Sequence, residues 1–170
     1  VSAVIDEGEG GAVAAMAERF GVELLVGLSH VDPGVALACA GGSPLRRAEV
    51  LGSGHPMPVL VHSAATIGPW VELGDGTIVS PGARITASVE VGRCCLIHTA
   101  AVLSHDDRLG DFVTISPSAT LCGGVEVGDG ASVFAGATVM PGVRIGPGAV
   151  IAAGALVRAD VDAATTVAGV

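Results

Sequence analysis

From Val61 to Val157 every sixth residue is Val, Ile or Leu, seventeen positions in succession without an insertion. A period of six matches neither the helical nor the simple strand repeat, so it must come from stacked, near-identical units. The residue two before each ladder position is usually small, as at Ala83, Val89, Cys95, Ala101, Val113 and Ala119; Asp107 breaks that rule. Two inward positions separated by one outward residue make a very short strand. The remaining residues must turn a corner. Gly follows the ladder residue at Gly74, Gly92, Gly110, Gly128 and Gly146, eighteen residues apart. Three hexapeptides therefore make one coil, and one corner recurs once per coil. Gly fits a corner that needs either a positive φ or close backbone approach. The pattern predicts a mainly-β triangular prism, a parallel β-helix of between five and six coils given three of the seventeen ladder positions per coil. Each coil adds about 4.8 Å, the spacing of paired strands.

Residues 1–60 lack the ladder. Val1–Ile5 reads as a short buried strand, Asp6–Gly11 as a Gly-rich turn and Ala12–Phe20 as a helix. Val22–Gly27 is a second strand, His30–Gly34 a turn and Val35–Cys39 a third strand. Ser43 is placed as an N-cap with Pro44 at the first helical position, giving a helix through about Leu51. This alternation is that of a small parallel α/β unit. Gly54-His55-Pro56-Met57-Pro58 then forms a rigid connection, so the expected division is 1–57 and 58–170. Gly8-Glu9-Gly10-Gly11 has the context of a phosphate loop, between strand and helix. Asp6, Glu7 and Glu9 would repel a phosphate there, which favours a plain turn.

Composition changes the picture in three ways. Aromatic residues make up 2%, as expected of a prism with no room for rings. The net charge of −9 disfavours nucleic acid and anionic membranes as partners. Half the chain is apolar, yet no run reads as membrane-spanning and no signal peptide is visible. Cys39, Cys94, Cys95 and Cys122 make no CxxC or zinc-finger spacing. Cys95 occupies an inward position and reads as core; Cys94 and Cys122 read as ordinary free thiols. A reducing, cytoplasmic compartment is the simplest expectation.

The chemistry concentrates between Ile97 and Phe112, the most polar stretch of the repeat. His105 sits just past a ladder residue, at or near an outward corner. Asp106 beside it, or Asp107, would hold the imidazole in its base-competent tautomer. The bland alternative is an exposed corner histidine beside two solvated carboxylates. The broken inward pattern at Asp107 favours function, because proteins tend to violate their own packing rules at sites.

Three runs then carry a resemblance: Pro58-Val59-Leu60-Val61-His62, His98 through Asp106, and Leu109-Gly110-Asp111-Phe112 through Ala119. They resemble the P-x-L-[VI]-H, N-T-x-A-x-[VI]-x-H-[DE] and I-G-D-F-x-H-[IV]-x-P-x-A motifs of hexapeptide-repeat acyltransferases. The group is that of the sialic-acid O-acetyltransferases and UDP-4-amino-sugar N-acetyltransferases. The resemblance implies a left-handed β-helix, preceded here by an abbreviated Rossmann-like unit. It also implies a cytoplasmic homotrimer with active sites at its interfaces, and acetyl-CoA or another acyl-CoA as cosubstrate with no metal. His105 would be the general base, oriented by Asp106, for direct attack of a sugar, nucleotide-sugar or related acceptor on the thioester. Gly123, Ala135 and Ala153 match positions that lie along the cosubstrate. His98, Thr114 and Asp6 match positions that face the acceptor.

The chain also departs from the pattern. His98 replaces an Asn and Thr114 replaces a His. Asp6–Gly11 is either a degenerate glycine loop or, through Asp6 and Glu7, the acidic pair of a shortened domain. Two other classes stay open. One is a zinc hydratase on the same prism, with His62, His98 and His105 as ligands. The other is a non-catalytic scaffold.

Overall fold

The structure, a computed structural model, describes residues 3–5, 23–25, 31, 32, 34–41 and 43–168. Eighteen two-residue strands between Leu60 and Val167 wind into a parallel β-helix with three flat sheets. The first sheet has seven strands, from Leu60–Val61 to Thr166–Val167. The second has six, from Thr66–Ile67 to Leu156–Val157, and the third five, from Glu72–Leu73 to Arg144–Ile145. As far as Thr138–Val139 each strand pairs in parallel with the strand eighteen residues later, as Leu103 pairs with Leu121 and Leu121 with Val139. The three-hexapeptide coil is therefore as the periodicity requires.

The ladder residues fill the interior. Ile85, Ile97, Leu103, Ile115, Leu121 and Ile151 are among the largest side chains with almost no exposure. Each such burial is worth about 1.5–3 kcal/mol. At the open end of the first coil Val61 and Ile67 remain 44% and 37% exposed. The count slips at the other end. Ile145 bridges Val161 and Val150 faces Thr166, sixteen residues on rather than eighteen. Val161 and Val167 still point inward, so the last coil is shorter by two residues and its core is kept.

The two reasons for glycine at corners separate cleanly. The left-handed position is the third residue after the ladder, with φ between 52° and 73° from Trp70 to Gly154. Gly occupies it often, but Ser88, Ala100, Asp106 and Phe112 adopt it too. The once-per-coil glycines are not there. A Cβ on Gly92 would lie 2.5 Å from the Gly110 carbonyl carbon, so close approach of successive coils demands them.

Of the N-terminal unit, the described residues show parallel strands Ala3–Ile5 and Glu23–Leu25 and helix α1, Pro44–Gly52. Asp6–Gly11 and Ala12–Phe20 lie outside them. Val35 N–H bonds to Asp32 O, closing the expected turn. The expected third strand, Val35–Cys39, does not form. That segment runs without ladder partners, its Leu37 N–H donating to Pro56 O. Pro56 and Pro58 remove amides that a paired strand would need. Helix α1 begins where Ser43-Pro44 predicted, although the Ser43 hydroxyl makes no capping bond.

A second small core joins this unit to the prism: Val31, Leu37 and Met57 pack with Cys94, flanked by Val50, Leu51 and Phe112. Arg47 of α1 is fully buried against the first sheet. It donates to Gly41 O, Phe112 O and Thr114 Oγ1. Among the described residues no helix is long and apolar enough to cross a membrane.

Candidate active site

His105 stands on the corner between strands Val102–Leu103 and Arg108–Leu109, where the second sheet passes into the third. Asp106 takes the left-handed position of that corner, φ 61°. Short acidic side chains tolerate this conformation better than bulky ones. The turn folds the Asp106 side chain back on its neighbour, so His105 Nδ1–H donates to Asp106 Oδ2 at 2.8 Å. A carboxylate accepts only, which fixes the proton on Nδ1 and leaves the lone pair on Nε2. The sequence left open which aspartate orients the imidazole; it is Asp106. Both side chains of the pair are about two-thirds exposed in the single chain, at 70% and 67%.

Gly123 lies one coil further on, under the ring. A Cβ there would stand 3.1 Å from His105 Nε2 and 3.2 Å from Cε1. Only a residue without a side chain leaves Nε2 this much room. Gly124 N–H donates to His105 O, tying the two corners together.

Asp107 turns the other way. It points into the prism and is fully buried. Its Oδ1 accepts from Val125 N–H at 2.9 Å, whereas Oδ2 makes no hydrogen bond. Burial pushes its pKa up to about 6, against the pull of the Val125, Ser104 and Gly123 amides and of His105.

The remaining expected site residues fall elsewhere in the chain. His98 and Thr114 flank the corner where the first sheet passes into the second, with Arg47 close to both. His98 is half-buried, and burial, helped by the Arg47 charge, holds its pKa low and its ring neutral. Thr114 is buried and its hydroxyl is taken by Arg47 at 2.9 Å. Burial also lowers the Arg47 pKa. Ala135 and Ala153 are exposed on that same corner, one coil apart, and Gly154 N–H donates to Ala135 O. The structure thus brings together His105, Asp106 and Gly123 on one edge, and His98, Thr114, Ala135 and Ala153 on another. Asp6 lies outside the described residues.

Arg47 was not singled out by sequence. The Ser43-Pro44 helix start was visible, but nothing local marks which of Arg46 and Arg47 turns inward. Cys95 is core, as expected: its thiol donates to Gly110 O at 3.1 Å, and burial pushes its pKa up to about 12. Cys94 is buried against Met57.

Within one chain the three histidines of the zinc alternative do not converge. His62 and His98 share a corner but stand two coils apart, with Ser80 between them, and His105 is on another edge. Among the described residues no three His, Cys, Asp or Glu side chains converge on a metal position.

A stacked hexapeptide prism with a carboxylate-oriented histidine at its edge defines the class. Residues 128–159 match the family model described as bacterial transferase hexapeptide (six repeats). No curated protein matches the sequence significantly. The acetyltransferase domain of PglB from Neisseria gonorrhoeae, solved with acetyl coenzyme A, is similar at 28% identity and TM-score 0.79, covering 98% of this chain and 95% of that one. PerB from Caulobacter crescentus, solved with CoA and GDP-perosamine, is similar at 27% identity and TM-score 0.81, covering 96% and 91%. WeeI from Acinetobacter baumannii shares the fold, at 22% identity and TM-score 0.84 over 98% and 95%. The nearly complete match is to hexapeptide-repeat acetyltransferases solved with acetyl-CoA or CoA.

Proposed function

We propose that the protein transfers an acetyl group from acetyl-CoA to an amine or hydroxyl of a sugar, nucleotide-sugar or related small acceptor. His105 is the general base. The observation that carries this reading is the His105–Asp106 bond of 2.8 Å on a chain that matches acetyl-CoA-bound acetyltransferases over nearly its full length. Nε2 takes the proton of the acceptor as its heteroatom attacks the thioester carbonyl. The carbonyl carbon passes through a tetrahedral oxyanion, the C–S bond breaks, and the His105 imidazolium returns its proton to the sulfur, so that CoA leaves as the thiol. The cysteines need no part in direct transfer, and the inward placement of Cys95 is in keeping with that.

The reading includes a left-handed coil, a homotrimer and a cytoplasmic setting. It divides the chain at 57/58 into an abbreviated α/β unit and the β-helix. A trimer would bring the His105 edge of one subunit to the Ala135–Ala153 edge of the next. Charge segregation supports such an assembly. From Glu90 to Arg144 the outward residues of the third sheet alternate charge, with Arg108 near Glu90 and Arg144 near Glu126. The second sheet instead presents Val102, Thr120, Thr138 and Leu156 above Arg84, beside exposed Phe134 and Met140. In that arrangement Gly123, Ala135 and Ala153 lie along the pantetheine, and His98, Thr114 and Asp6 lie toward the acceptor. Thr114 Oγ1 accepts from Arg47, which fixes the hydroxyl and leaves its proton to donate toward the acceptor.

The test is thiol release from acetyl-CoA against a panel of amino-sugars, nucleotide-linked amino-sugars and small alcohols. Acceptor-dependent release is expected. Its absence across the panel, with no binding of acetyl-CoA, would leave the scaffold reading in its place.

A further inference from the structure

The corner one coil beyond His105 differs from the others among the described residues. Among the described residues Gly123 and Gly124 are the only consecutive pair in the left-handed region within the prism, with φ 105° and 61°. The cause lies beneath them. Asp107 occupies a column whose other members are Val71, Val89, Val125 and Val143. Its carboxylate accepts the Val125 amide, and the Gly123 and Ser104 amides also aim their partial positive charge at it. The intervening Gly124 amide goes to His105 O at 2.9 Å. Successive amides of one left-handed turn thus close over a carboxylate and the adjacent carbonyl, the geometry of an anion-binding nest. The same turn holds Gly123 within contact of His105 Nε2.

We propose that Asp107 is a positioning residue: its buried carboxylate gathers the 123–125 corner and so sets Gly123 against the imidazole of His105. It touches neither His105 nor any reacting atom. A valine in its place would satisfy the column and leave the Val125 amide without its acceptor. The corner would then relax toward the shape of its neighbours, in which the second residue has no positive φ, and Gly123 would leave the underside of the ring. His105 is the ionisable neighbour whose charge reaches Asp107; Val89, Val125, Gly123 and Gly124 around it carry none.

The proposal rests on the acetyl-transfer reading for its consequence but not for its geometry, so the test has two readouts. Asp107→Val and Asp107→Asn are compared with the wild-type protein. The His105 Cε1–H resonance, assigned by its loss in His105→Gln, reports the ring environment without any turnover. It should move in Asp107→Val and stay in place in Asp107→Asn, whose amide oxygen still accepts from Val125. The kcat for acetyl transfer should fall about tenfold to a hundredfold in Asp107→Val, the scale of a small misplacement. Its thermal stability should rise. Asp107→Asn should retain kcat, because its amide oxygen keeps the Val125 bond. An unmoved His105 resonance in Asp107→Val overturns the proposal, whatever the wild-type protein does with acetyl-CoA. A moved resonance with unchanged kcat overturns the positioning role. A wild-type protein without transferase activity sinks the functional reading alone and leaves the resonance to decide the geometry.

Discussion

Thr77 and Asp107 both stand at the inward position that the repeat gives to small residues, and both are fully buried. Each accepts the amide of the inward residue one coil later. Cys95 N–H donates to Thr77 Oγ1 at 3.0 Å, and Val125 N–H to Asp107 Oδ1 at 2.9 Å. The threonine hydroxyl then donates to Gly92 O at 2.8 Å, so its hydrogen-bonding capacity is used. The aspartate has no proton to give while ionised, and Oδ2 is left without a partner. The corner above Thr77 is ordinary, with a single left-handed residue at Cys94. The corner above Asp107 has two. A buried polar side chain is cheap for this prism when it both donates and accepts. When it only accepts, it reshapes the turn above it, and that turn lies under the candidate base.

The sharpest break in the comparison is at His105. His105→Ala should lower acetyl transfer about 10²–10⁴-fold, the contribution of a positioned general base. Circular dichroism and the melting temperature should change little, because the side chain is 70% exposed. Thr77→Ser, at the matched corner without a base, should leave kcat near wild type. Full activity in His105→Ala would remove the chemistry from the Asp107 side of the comparison.

A third buried polar group sets the scale for the other two. Arg47 delivers its guanidinium to Phe112 O, Gly41 O and Thr114 Oγ1, pinning α1 to the first sheet. Arg47→Leu leaves Phe112 O and the buried Thr114 hydroxyl without this donor. It should destabilise the docked N-terminal unit by about 2–4 kcal/mol. Urea unfolding with hydrogen exchange would show early exposure of residues 44–52 while the prism amides stay protected. Simultaneous loss of both would mean that the unit and prism form one cooperative whole.

The ladder was legible because seventeen uninterrupted repeats leave no other periodic solution. So was the His105–Asp106 pair, since adjacency at a corner is a local matter. What stayed hidden is set by neighbours distant in sequence. Asp107 stood as the alternative to Asp106 beside His105 and instead serves Val125, eighteen residues on. Arg47 finds Phe112 and Thr114 across sixty-five and sixty-seven residues. The glycines following the ladder were placed at corners, but their reason, contact with the next coil rather than φ, depends on the stacking itself. The two-residue slip after Val157 is visible only once Val161 pairs with Ile145.

Acidity separates Asp107 from Thr77 further. Burial raises the Asp107 pKa from 3.8 to about 6, so the folded protein binds its proton more tightly than the unfolded chain does. The stability penalty is therefore full above pH 6 and fades as pH falls toward 4. Two pKa units correspond to roughly 3 kcal/mol at most. Asp107→Asn should be more stable than wild type at pH 8 by up to that amount, and the gap should close on acidification through pH 6. Chemical denaturation at pH 8, 6 and 4.5 measures it. A gap independent of pH would mean that the carboxyl has the same pKa in the folded and unfolded protein.

The smallest effect tests the cheap side of the comparison. Thr77→Val keeps the shape of the side chain and removes its hydroxyl. Cys95 N–H then loses its acceptor and Gly92 O its donor, both in the interior of the corner. The loss should be about 1–2 kcal/mol, one to two neutral hydrogen bonds with partial recovery as the turn closes on itself. Unlike Asp107→Val, which removes an unpartnered carboxylate oxygen, it should lower the melting temperature, and the loss should be the same at pH 5 and pH 8 because no proton is involved. Opposite signs for two valines at equivalent inward positions would locate the difference in the proton inventory of the residue replaced. Equal signs would mean that the prism is indifferent to what its inward polar groups donate, and that the shape of the 123–125 corner has another cause.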